Sequence, residues 1–267
     1  MVGKEIFSPD ARSPERINKR GLLVLLTGPT GVGKDTVLNY LKLHHQRIVT
    51  YTSRPKGEFE TDGFDYHFVS KQEFLRIRER DDFFEYQPIR DDYYGTTYKE
   101  IESKRNSDLT VWRLNPEGAF DLFDSPEKRH YLEPFIIICL VADLHVLATR
   151  IKERGREKGL SVIERSKQAF KELSLIEDRK IIAEEDKQNI DQRFGGIGDE
   201  RLMILNGHSW TDNLFSSSNF RVAIRLIENR QGLRTINGFP RTLYLVEETI
   251  KKISHLWQLL DNNNKMM

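Results

Sequence analysis

The chain has 267 residues, with 42 Lys and Arg against 41 Asp and Glu, a formal charge of +1 and 38% hydrophobic residues. That balance excludes a dedicated nucleic-acid binder, which needs a basic excess for its phosphate partner. A single cysteine, Cys139, excludes an internal disulfide scaffold and points to a reducing, cytoplasmic setting. The longest apolar runs, Leu22 to Leu26 and Phe135 to Ala142, fall far below the ~20 residues of a membrane span, so no membrane partner is expected.

Residues 1–20 are basic but broken by Pro9, Asp10 and Pro14 and lack an apolar stretch. They read as a flexible segment and not a signal peptide. Five short apolar runs follow: Gly21 to Thr27, Ile48 to Thr52, Leu109 to Leu114, Phe135 to Ala142 and Arg201 to Leu205. Each is dense in Val, Ile and Leu with no polar alternation, which predicts strands buried on both faces. Between them, helical spacing predicts helices over Asp35 to His44, Lys71 to Glu79, Leu144 to Arg154 and Ile163 to Leu173. The fold class is therefore α/β, a central parallel sheet between helix layers. Pro55 to Glu102 is too long for a loop and reads as an inserted subdomain, and Glu177 to Arg201 as a charged excursion. Near the end, Leu243, Val246, Ile250, Ile253, Leu256, Trp257 and Leu260 form the apolar face of a helix that packs on the core or on a partner.

The strongest chemical signal is Gly28-Pro29-Thr30-Gly31-Val32-Gly33-Lys34-Asp35-Thr36, directly after the first strand. Glycines let the backbone curl so that N–H groups face phosphate oxygens, the next helix adds its positive N-terminal end, and Lys34 adds a charge. This is a phosphate-binding loop, a P-loop. Asp35 stands where a Ser or Thr ligand of Mg²⁺ is usual, with Thr36 one place later. Asp35 then either helps hold Mg²⁺ beside ATP or caps the helix N-terminus.

Further motifs follow in order: Thr52-Ser53-Arg54, Gly63 to Phe68, Phe83-Phe84-Glu85-Tyr86 and Tyr93-Tyr94-Gly95-Thr96. With the P-loop, this order resembles the guanylate kinase family over roughly residues 20–227. The resemblance implies a P-loop NTPase-type three-layer fold that carries a phosphoryl group from ATP to a nucleoside monophosphate, GMP or dGMP favoured, with Mg²⁺. It divides the chain into a domain over 21–227, with an acceptor-binding insert about 54–105 and a lid about 150–200, and a helical extension over 228–267. It implies Ser53, Arg54, Tyr66 and Tyr94 on the acceptor phosphate, and Glu85 with Thr96 on the guanine. A carboxylate can accept from guanine's ring N–H and amine together, an edge that adenine lacks, and Arg54 can take a phosphate bidentately. Arg150, Arg154 and Arg165 match lid arginines that serve transferring phosphoryl oxygens, and Asn206 matches a position near adenine.

The chain departs from the family pattern in two places. Gly57, beside Lys56, stands where a second phosphate-binding arginine is usual, and Arg113 with Asn115 stand where two aspartates follow the third strand. Arg113 beside a magnesium site would repel the cation; it points elsewhere, contacts phosphate itself, or marks an altered mechanism. Asp35 with Asn115 is similar to ribose 1,5-bisphosphate phosphokinases, so a sugar-phosphate kinase is the alternative enzyme and a non-catalytic interaction module the alternative class. Asn237 to Thr242 reads as a turn into the last helix, and the seven histidines lack metal-ligand spacing.

Overall fold

The computed structural model describes residues 20–133, 135–153, 162–176, 202–203, 222–228, 246–247 and 250–251. Arg154, Asn206, the excursion over 177–201, the turn over 237–242 and both termini lie outside the described residues.

The expected α/β layering is present. A six-stranded sheet runs in the order β2-β7-β1-β8-β10-β9, built from β1 (Leu22–Thr27), β2 (Gln46–Ile48), β7 (Leu109–Arg113), β8 (Phe135–Val141), β9 (Leu202–Met203) and β10 (Val222–Glu228). Every pairing through β10 is parallel, and β9 closes the edge antiparallel to it. The parallel strands need no polar face because both faces are covered. Leu22, Val24 and Leu26 of β1 join Ile136, Ile138 and Leu140 of β8 in one core, while Leu23 and Leu25 join Trp112, Ile137 and Cys139 in the other. This period of two inside an unbroken apolar run is the physical meaning of that run.

The first core lies under α1 (Lys34–Tyr40), which contributes Val37 and Leu38, and α6 (Leu144–Glu153), which contributes Leu147 and Ile151. The second lies under α4 (Pro116–Asp124) and α5 (Pro126–Leu132), and the four residues Ala119, Phe120, Leu122 and Phe123 of α4 are buried there. Helix α7 spans 162–176, three residues longer at its C-terminal end than expected. Val246 and Ile250, four residues apart and both helical, are buried in the first core. Of the two homes open to the C-terminal helix, these residues therefore occupy the chain's own core.

The expected strand over Ile48 to Thr52 is two strands in different sheets. β2 ends at Ile48, and β3 (Tyr51–Thr52) belongs to a second, four-stranded sheet ordered β4-β3-β6-β5, with β4 (His67–Phe68), β5 (Phe83–Ile89) and β6 (Asp92–Thr97). At the crossing, the Val49 N–H donates to Glu100 Oε1 at 2.9 Å, and the Thr50 and Thr96 hydroxyls meet at 3.3 Å. A continuous apolar run cannot disclose this break, because both halves are buried. The small sheet packs on α2 (Lys71–Glu79) through Phe74, Ile77 and Phe83. Ser70 caps α2 by accepting from the Glu73 N–H, and Thr97 caps α3 (Tyr98–Lys104) in the same way with Glu100. The final strand also differs from expectation: residues 202–203 are a short edge, and β10, unmarked in the sequence reading, pairs with β8 along its whole length. Among the described residues no helix is long and apolar enough to cross a membrane.

Candidate active site

In an open parallel sheet, ligands bind beyond the carboxyl ends of the strands, where successive connections run to opposite sides. Here β7 and β8 flank β1, and the loop after β1 and the end of β7 open on a single cavity of about 810 Å³. The cavity is lined on one side by Thr30, Gly31, Gly33, Lys34 and Asp35, and on the other by Arg54, Tyr66, Glu85 and Tyr94. Helix α7 adds Arg165 and Glu172.

The loop curls as its glycines require: Gly28, Gly31 and Gly33 have φ of 137°, 87° and 103°, a region closed to most side chains. Gly33 is the N-cap of α1, with no side-chain capping bond, and Asp35 is in the first turn. The N-cap position thus belongs to Gly33, and Asp35 stands in the first turn, where an acid suits the positive end of the helix. Its carboxylate is ion-paired with the Arg113 guanidinium at the end of β7. Lys34 turns its Nζ onto the Gly28 and Pro29 carbonyl oxygens, at 2.5 and 3.2 Å. Burial lowers its pKa, and the nearby Glu172 carboxylate works against that. Glu172 accepts from the Thr30 N–H at 2.6 Å and is itself held by Gln168 at 3.0 Å. The sequence reading missed Glu172. Its signal is that Arg165, Gln168 and Glu172 share one helical face.

On the opposite wall, Arg54 is forked onto Glu60, Nη1 to Oε2 and Nη2 to Oε1, each at 2.8 Å. Tyr66 lies beneath it, with the Arg54 guanidinium 5.4 Å from the ring centroid and Tyr94 5.8 Å away edge-on. Glu85 has its pKa pushed up to about 7, because burial disfavours its charge and hydrogen bonds from Thr96 only partly offset this.

Gly28, Pro29 and Val32 of the loop are outside the cavity lining, and so are Ser53, Thr96, Arg150 and Thr36. The Ser53 hydroxyl donates to Asp92 at 3.0 Å and accepts from the Tyr93 N–H at 2.9 Å, so it braces β6. Thr96 is fully buried and acts on Glu85, not on the cavity. Arg150 is buried with its Nη1 on the Val32 carbonyl at 3.3 Å, behind the loop. Thr36 is half-buried on α1 and absent from the lining. Asn115 caps α4, accepting from the Gly118 N–H and from Gln87 Nε2, each at 2.9 Å.

The expected magnesium ligands do not fit an ion held by the protein. Asp35 is paired with a guanidinium whose charge opposes a dication, and among the described residues no three His, Cys, Asp or Glu side chains cluster as a metal site.

The sequence model of the family described as Guanylate kinase matches residues 20–193. A guanylate kinase of Caldanaerobacter subterraneus is 32% identical over 164 residues, 60% of this chain and 77% of that protein. One from Aster yellows witches'-broom phytoplasma is 34% identical over 165 residues, 60% of this chain and 76% of that protein. A solved guanylate kinase from Anaplasma phagocytophilum covers 90% of this chain and 86% of its own at 18% identity, but its TM-score of 0.49 is too low to add to the assignment. With a P-loop on one wall of the cavity, the buried carboxyl of Glu85 on the other and most of its length matched, the chain belongs to the guanylate kinase family.

Proposed function

We infer that this chain transfers the terminal phosphoryl group of ATP to GMP. The observation that carries the reading is that Glu85 and the loop around Lys34 line one cavity, with Arg54, Tyr66 and Tyr94 on the wall they share with the acceptor. The P-loop N–H groups and Lys34 take the phosphates of ATP. Glu85, once ionised, accepts from the guanine edge, and a base that lacks those donors leaves the carboxylate buried and unpaired. Arg54, Tyr66 and Tyr94 take the acceptor phosphate. Arg165, carried by α7, offers its guanidinium to the oxygens on which charge develops during transfer.

The test is ADP release from ATP with magnesium in the presence of GMP, dGMP, AMP, UMP and ribose 1,5-bisphosphate, with Lys34→Ala as the blank. Turnover is expected with GMP and dGMP, and Glu85→Gln is expected to cost at least tenfold in kcat/KM for GMP, the scale of a lost charged hydrogen bond. Turnover with the sugar phosphate alone, or with no acceptor, overturns the reading.

A further inference from the structure

The wall that carries Arg54 presents Gly57 to the cavity and no second arginine at that position. The Gly57 N–H donates to Glu60 Oε2 at 2.7 Å, and a Cβ on Gly57 would come within 2.8 Å of that oxygen. Lys56 is exposed and turns its Nζ to the carbonyl oxygens of Glu60 and Gly57, at 2.8 and 3.4 Å. A monophosphate carries up to two negative charges at neutral pH, and Arg54 shares its own charge with Glu60.

Arg113 enters the same cavity from the opposite side. Its guanidinium lies 4.5 Å from the centroid of the Tyr66 ring on which Arg54 also sits. Two partners hold it: Asp35, through Nη1, and the Asp65 carbonyl, which accepts from Nη2 at 3.1 Å. The fork has five N–H groups, so these contacts orient it without exhausting it. Asp35 directly follows Lys34, which ties this guanidinium to the P-loop. A buried ion pair is weak ground for stability, whereas a fixed guanidinium beside a phosphate-binding tyrosine has a plain use.

We propose that Arg113 is the second arginine of the acceptor-phosphate seat, gripping the acceptor's phosphate from the P-loop side in place of a cation at Gly57, with Asp35 as the residue that positions it. The role rests on the nucleoside-monophosphate reading above. It also explains the exchange of charge between the two loops: the acid stands after Lys34 and the cation at the end of β7, so the cation faces the acceptor.

The test compares GMP with guanosine, which differ by the phosphate alone, in titration calorimetry of the wild-type chain, Arg113→Met, Arg113→Lys and the double variant Asp35→Asn/Arg113→Met. In Arg113→Met, GMP affinity is expected to fall about tenfold to a hundredfold while guanosine affinity is unchanged, with KM for GMP rising in parallel. ATP affinity falls as well, because the Asp35 carboxylate loses its guanidinium partner beside the phosphates. The double variant regains ATP affinity and not the discrimination between GMP and guanosine, which a merely structural role would not produce. An unchanged GMP-to-guanosine ratio in Arg113→Met, or equal weakening of both ligands, overturns the proposal. If thermal melting shows that Arg113→Met does not fold, Arg113→Lys decides: a several-fold drop in the ratio upholds the role and no drop overturns it. A wild-type chain that neither binds nor phosphorylates GMP overturns the functional reading, and this role with it.

Discussion

In the proposed role Glu85 accepts from guanine as a carboxylate, yet burial pushes its pKa up to about 7. Below that value the empty site holds a protonated carboxyl, so KM for GMP is expected to rise about tenfold per unit as pH falls below 7. Guanine's donors favour the charged form and shift the limb to lower pH once GMP is bound. The same group bears on stability. Its folded pKa lies above the unfolded value, so the folded state binds more protons and Glu85 costs stability as pH rises from about 4.5 through 7. Glu85→Gln is therefore expected to melt higher than wild type at pH 8 while losing GMP turnover; equal melting temperatures would contradict the assigned burial cost. The residue type and its place after Phe83-Phe84 were legible in the sequence. That Thr96 serves Glu85 and Ser53 braces Asp92 was not, because a hydroxyl's partner is chosen by the sheet register that brings β6 beside β5 and β3.

The elements that position these side chains are specified over different ranges of the chain. α2 matches its expected span, Lys71–Glu79, because its start carries Ser70 and Glu73 at capping-box spacing, a purely local signal. The strand over 48–52 divides because sheet membership is a long-range matter decided by Glu100 and Thr96. α7 illustrates the functional side. It delivers Glu172, 5% exposed, to the Thr30 N–H and so places a carboxylate that opposes the desolvation of Lys34. Glu172→Gln keeps an acceptor for that N–H but removes the charge that opposes the desolvation of Lys34. The Lys34 pKa then falls further, and because lysine is charged below its pKa, the alkaline limb of ATP binding is expected to move to lower pH. Titrations of ATP affinity between pH 7 and 10 that coincide for the two proteins would rule this out.

At the scale of the whole molecule, the two cores on either side of the sheet hold the P-loop wall and the acceptor wall in register. The first core is completed by Val246 and Ile250, which are 1% and 2% exposed and come from the far end of the chain. The Lys42 N–H donates to Glu247 Oε1 at 2.8 Å, joining that segment to the end of α1. Ile250→Ala is expected to cost about 2 to 5 kcal/mol in urea unfolding, the range for emptying a packed aliphatic site, and a loss below 1 kcal/mol would mean that the segment is not part of the cooperative unit. Features that depend on neighbours in the chain are legible in the residues alone: buried strands from unbroken apolar runs, a P-loop from glycine spacing and Lys34, and helices from caps and period. Which sheet β3 joins, that Arg150 lies behind the loop and that Asp35 meets Arg113 came only with the folded chain. Those outcomes turn on contacts between residues tens of positions apart, and such contacts are set by how the layers pack.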